Sequence, residues 1–231
     1  MRRPRAPTFL FLLLALLGTF VVYPLAVESA TGALMADLVA MLIATAALVA
    51  LRAHKHELAI GLSLAIPSIV MDWLCDFVFK DSTAAAVTTS ALYAAFHAYV
   101  TILIMRYIVA ARRVTANEVW ASACVYLMLA IVWADVMHLT AVLRPTAFRA
   151  LDATLHIGGS GSAYQSDLLY YSLTTLTTLG MGDIVPGDRV GRTLTALEAV
   201  VGQLCIGILI ARLVGLHIAA AALSGDRERS E

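Results

Sequence analysis

Six stretches of this 231-residue chain are apolar over about the length that a lipid bilayer demands: residues 8–27, 33–51, 58–79, 91–111, 119–143 and 193–221. A helix needs roughly 20 residues to cross the hydrocarbon core. In lipid every backbone N–H and C=O must be bonded inside the protein, so a long apolar run can span only as a helix or as part of a closed barrel. Apolar residues are 61% of the chain and charged residues 14%, against about 25% charged in soluble domains. The pattern predicts an all-α membrane protein with six transmembrane helices, whose surroundings are the lipid bilayer. The formal net charge is zero, which gives no bulk attraction to nucleic acid. The cysteines, Cys75, Cys124 and Cys205, lie inside apolar runs at no metal or disulfide spacing and read as small buried hydrophobes.

Basic residues orient the runs. Arg2, Arg3 and Arg5, then Arg52 and Lys55, then Arg112 and Arg113, then Arg227 and Arg229 fall on one side if six helices alternate. Lys80, Arg144, Arg149, Arg189 and Arg192, diluted by acids, fall on the other. Both termini are therefore expected in the cytoplasm. The tail after Ser224 is short and charged, so no soluble ligand-binding domain is expected from it.

Between the fifth and sixth runs lies Thr177-Thr178-Leu179-Gly180-Met181-Gly182-Asp183, behind an amphipathic segment at 167–178. That segment is too short to cross and predicts a re-entrant helix. Irregular backbone at membrane depth is tolerated only where protein or a water-filled cavity surrounds it. Gly180 and Gly182 permit φ > 0 at alternate positions without a Cβ penalty. Such alternation lets successive carbonyls point one way, as a backbone that replaces an ion's hydration shell requires. The carbonyls of Thr178, Leu179, Gly180 and Met181, with Gly182 closing the turn, are the candidate ion-binding positions. The Thr178 hydroxyl adds an oxygen at the inner end.

Thr-x-Gly-x-Gly-Asp behind a Thr-rich helix resembles the filter of tetrameric potassium channels. The likeness runs from about residue 167 to 215. Glu198-Ala199-x-x-Gly202-Gln203-Leu204, running into Ala211-Arg212-Leu213-Val214, is similar to small bacterial pore-loop channels. The resemblance implies a homotetramer in a plasma or inner cell membrane, passing K+ without a cofactor and without enzymatic activity. It also implies a voltage-gated-channel-like architecture: a four-helix sensor-like domain at 1–113, a pore domain at 114–221 and a short cytoplasmic tail at 222–231. The pore domain would comprise outer helix, turret, pore helix, filter and inner helix. Thr174, Thr177, Asp183, Tyr170, Tyr171 and Glu198 would support the filter. Gly202 and Gly207 fall where the family's inner helices bend, and serve either as a gating hinge or as close-packing positions. The family usually carries Tyr or Phe where this chain has Met181, packed behind the filter against pore-helix aromatics, here Tyr170 and Tyr171. Methionine is flexible and offers a sulfur–aromatic contact but no donor. Two readings follow: a potassium-selective channel, and a nonselective monovalent cation channel with a looser filter. A non-conducting regulatory subunit is a third.

The fourth run has no arginine ladder. Arg106 alone lies within it, and each charge crossing the field contributes about 2.3 kcal/mol per 100 mV. Weak or absent voltage dependence is expected. Asp37, Asp72, Asp76 and Asp135 are acids in or near apolar runs, where they are costly. Asp72 and Asp76 share a helix face. They pair with Arg106, sense pH or sit near the interface. His97 and His138 either titrate or are hydrogen-bonded core residues. Trp73, Trp120 and several tyrosines read as interface anchors, and Pro67 as a kink. Gly158-Gly159-Ser160-Gly161 superficially resembles the serine motif of rhomboid proteases. Its polar, Gly-rich setting reads instead as a flexible turret within 144–165.

Overall fold

A computed structural model of the chain describes residues 8–26, 55–79, 82–111, 115–151 and 162–230. The second apolar run with Asp37, and the Ser160 loop, lie outside the described residues. In chain order the elements are α1 (Thr8–Ala26), α2 (Lys55–Phe77), α3 (Thr83–Val109), α4 (Ala116–Leu143), β1 (Phe148–Ala150), α5 (Ser162–Leu176), β2 (Ile184–Pro186) and α6 (Arg189–Ser230). Among the described residues four helices are long and apolar enough to cross a membrane, over His56–Cys75, Thr83–Ala110, Ala116–Leu143 and Arg189–Leu216. Helix α1 holds a shorter apolar stretch, Phe9–Val21. Helix α2 continues through Pro67. At 15 residues α5 is too short to cross.

Helix ends extend beyond the apolar runs because polar caps define them. Ser82 Oγ accepts from Ala85 N at 3.3 Å and starts α3 eight residues before the fourth run. Asp188 Oδ1 accepts from Gly191 N at 2.8 Å and starts α6, which satisfies one of the amides a helix start leaves unpaired. At the start of α4, Thr115 N donates to Glu118 Oε2 at 2.9 Å. The Tyr107 hydroxyl donates to the other oxygen of Glu118 at 3.2 Å. This binds α3 to α4 across the short connection 110–115 and makes them an antiparallel hairpin.

Inside that hairpin, His97 Nδ1 lies 2.7 Å from Asp135 Oδ2, both buried. Ser90 Oγ lies 2.9 Å from His138 Nδ1. Both histidines are thus bonded within the helix pair. The main core crosses the expected boundary at residue 113. Phe9 and Leu16 of α1, Ala65 of α2, Phe96 and Leu103 of α3, Cys124 and Met128 of α4 and Leu209 of α6 share one buried cluster. Cys124 Sγ also donates to Phe9 O at 3.4 Å. Among the described residues all three cysteines are free, and Cys75 and Cys205 are only half-buried.

Arg106 Nη1 pairs with Glu57 Oε1 at 3.6 Å, a partner the sequence reading did not name. Asp72 lies fifteen residues beyond Glu57, roughly 22 Å further along α2 at 1.5 Å per residue, which places it near the opposite end of the bundle. The Asp76 side chain lies outside the described residues. Trp73 is 50% exposed, as an interface anchor would be.

The two strands are an addition to the all-helical expectation. β1 and β2 pair antiparallel, Phe148 with Pro186, Arg149 with Val185 and Ala150 with Ile184. Three residues leave no room for an alternating pattern to show, and the pairing is set by distant neighbours. A second buried cluster, Met137, Ala141, Phe148, Leu168, Tyr171 and Ile184, underlies the ladder. Arg144 Nε donates to Asp188 Oδ2 at 3.0 Å and closes this end.

The Gly191 amide, then Arg144, holds the Asp188 carboxyl below its ordinary range. A depressed folded-state pKa contributes stability above the unfolded value, about 3.9, and that stability is lost as pH falls through the folded one. Detergent-solubilised protein should therefore lose melting temperature below about pH 4, and Asp188→Asn should show a shallower acid limb. Identical acid limbs in thermal melts would count against this.

Candidate functional site

Helix α5 ends at Leu176 and the chain turns at once. Thr177 N donates to Leu173 O at 3.1 Å and Thr178 N to Thr175 O at 2.9 Å. Leu179 N and Gly180 N both donate to Thr174 O, at 2.8 and 3.1 Å. The amides of Thr177 to Gly180 are thus spent on the carboxyl end of α5. The carbonyls of Thr178, Leu179, Gly180 and Met181 accept no protein hydrogen bond among the described residues.

Backbone handedness alternates along this stretch. Thr178 has φ 60°, Gly180 55° and Gly182 83°. The two glycines were legible as positive-φ positions; Thr178, the third, was not. Nothing lies within 4 Å of a Cβ built on Gly180 or Gly182, so conformation, not space, requires glycine there. Leu179 is 65% and Met181 63% exposed. Within this chain the Met181 side chain is therefore not packed behind the turn on Tyr170 and Tyr171.

Those tyrosines act through their hydroxyls. Tyr170 donates to Asp183 Oδ2 at 2.7 Å, and this bond pushes its phenol up to about 12. Asp183 Oδ1 accepts from Ile184 N at 2.9 Å and Asp183 O from Leu151 N at 2.7 Å. The Asp183 end of the turn is thereby fixed to both α5 and the strand ladder. The Tyr171 hydroxyl lies 2.8 Å from Thr195 Oγ1 on α6. Thr174 and Thr177 hydroxyls donate back to Tyr171 O and Leu173 O, at 2.9 and 2.7 Å.

Three further groups hold α5 from behind. Ser172 Oγ donates to Ala130 O of α4 at 2.7 Å and also hydrogen-bonds Glu198 Oε1 of α6. Glu198 is fully buried, and its Oε2 has no hydrogen-bond partner among the described residues. Tyr126 of α4 donates to Leu176 O at 3.0 Å, satisfying one of the carbonyls a helix end leaves unpaired. Ser172 and Tyr126 were not singled out from the sequence. Tyrosines in apolar runs read as interface anchors, and nothing local marks a non-local acceptor.

Gly202 and Gly207 separate in role. A Cβ on Gly202 would lie 2.5 Å from Leu176 O and 2.9 Å from Leu176 Cδ1. Gly202 is thus a close-packing position. Gly207 has nothing within 4 Å. The faces of α6 follow the same split: Glu198, Gly202 and Leu209 are buried, whereas Leu197, Val200, Leu204 and Ile208 are 49–64% exposed. Among the described residues no cluster of His, Cys, Asp and Glu could hold a metal.

Residues 125–217 match the model of a family described as ion channel. The match takes in α5, the turn and the apolar part of α6, less than half of the chain. No curated protein and no solved structure matches the chain significantly.

Since the Leu176 carbonyl cannot move without releasing Tyr126, Gly202→Ala should overpack this contact. A cost of about 1–3 kcal/mol is expected, read as a lower melting temperature in detergent. Gly207→Ala should melt within about 0.5 kcal/mol of the parent chain. Equal melts for the two variants would show that α6 does not seat on α5 at residue 202.

Proposed function

From an ion channel domain at residues 125–217, we infer that four copies of this multi-pass membrane chain surround a central, potassium-selective pore. One observation carries this reading. Four consecutive carbonyls, Thr178 to Met181, lack protein partners among the described residues, on a backbone whose φ is positive at every second residue. Such oxygens at membrane depth need a partner, and a dehydrated cation supplies one.

One chain presents a single row of carbonyls, so a cage requires copies around an axis. The exposed stripe Leu197, Val200, Leu204 and Ile208 lies on α6, the helix that follows the turn, and supports such assembly. The carboxyl end of α5 carries partial negative charge and favours a cation on the axis. Because α3 and α4 form a tight hairpin, each chain's membrane helices stand against its own pore segment. Residues 1–113 then act as a sensor-like unit, 114–221 as the pore and 222–231 as a cytoplasmic tail beside a cytoplasmic N-terminus. Arg106, with its side chain 64% exposed, supports little voltage dependence.

The second reading, a pore admitting sodium as readily as potassium, is favoured by Met181. Its side chain is flexible and 63% exposed, so it does not by itself brace the cage width. Reversal potential in planar bilayers, with K+ on one side and Na+ on the other, separates the two. A value near the potassium equilibrium potential is expected. A value near zero with clear current would establish the nonselective pore, and Met181→Tyr should then move it toward potassium. Gly180→Ala, forced to positive φ with a Cβ, should abolish current in either case. Persistent wild-type-like current in that variant would remove the turn from the ion path.

A further inference from the structure

The buried face of α6 extends beyond Gly202. Glu198, Gly202, Cys205, Leu209 and Arg212 recur at three- and four-residue spacing, the period of one helix face. The last of these ends on backbone oxygens. Arg212 Nη2 donates to the carbonyls of Ile108, Val109 and Ala111 at 3.1, 2.5 and 3.1 Å. Among the described residues no carboxylate forms an ion pair with Arg212.

These carbonyls close the carboxyl end of α3. A helix leaves its last carbonyls without intrahelical partners, and a cation there offsets their partial negative charge. Ala110 N takes Arg106 O and Ala111 N takes Ile108 O. Among the described residues, Val109 O and Ala111 O accept from the guanidinium. Helix α6 therefore contributes a charged donor to the carboxyl end of α3, about a hundred residues away in sequence.

We propose that Arg212 is a latch joining the inner end of α6 to the carboxyl end of α3, so that the helices before residue 113 set how often the pore opens. This rests on the channel reading above. Gly202 pins α6 to Leu176 on one side of the open Gly207 position, and Arg212 pins it to α3 on the other. Outward movement of the inner end of α6 carries the guanidinium away from its three oxygens and uncaps α3. The latch accordingly favours the closed arrangement.

The test is single-channel recording of the full-length protein in planar bilayers with K+ on both sides, comparing the parent chain, Arg212→Gln and Arg212→Lys. Glutamine removes the charge and shortens the reach, and open probability should rise about fivefold or more, as loss of a cation at a helix carboxyl end implies. Lysine, a point charge without the guanidinium fork, should give a smaller rise. Unitary conductance and reversal potential should stay at parent values, because the turn at 178–182 is untouched. If the glutamine variant does not assemble, the lysine variant decides alone, and a rise is still required. Current in all chains with equal open probability overturns the latch and leaves the pore standing. Silence in all of them removes both. A changed unitary conductance overturns the latch by placing Arg212 in the ion path.

Discussion

The carbonyl of Leu176 is the point on which the rest of the site depends. It is the last oxygen of α5, and a helix end inside a membrane protein must find partners for such groups. Tyr126 donates to it from α4, and Gly202 lets the backbone of α6 close over it. With that end fixed, Thr174 O collects the amides of Leu179 and Gly180. The carbonyls that follow are then held away from the protein. Gly202 and Tyr126 thus bear on the turn through Leu176, without touching a residue in it.

The two ends of the bundle are tied by different chemistry. At the end that carries the turn, Tyr170 to Asp183, Arg144 to Asp188 and the β1–β2 ladder surround it with short-range polar contacts. At the opposite end, Glu57 to Arg106, Tyr107 to Glu118 and Arg212 to the α3 carbonyls link helices from distant parts of the chain. Between them the core is apolar, apart from bonded pairs such as His97 with Asp135. Along α6, Gly202 packs against Leu176 and Arg212 donates to the carboxyl end of α3, with the open Gly207 position between them.

Legibility followed the range of the interaction. The apolar runs announced α2, α3, α4 and α6 because bilayer thickness sets a length that composition alone reveals. Helix α5 and the positive φ of Gly180 and Gly182 followed from local pattern. The ladder of three-residue strands did not, nor did Glu57 as the partner of Arg106, where the sequence offered Asp72 and Asp76 instead, because only the structure gives α2 a direction and depth. Gly202 and Gly207 looked alike in the sequence, and only the 2.5 Å approach of Leu176 O to one of them told them apart.

By itself the sequence determined that this chain lives in a membrane as helices, with one Gly-punctuated turn unable to cross it. Those are consequences of lengths and of single-residue backbone freedom. The tertiary structure decided which oxygens remain unpaired, which glycine is a seat, and which arginine closes a helix it does not belong to. Each depends on two segments meeting, with about a hundred residues between Arg212 and the carbonyls it caps. No local pattern carries that information, because the energy that selects the partner exists only once both are in place.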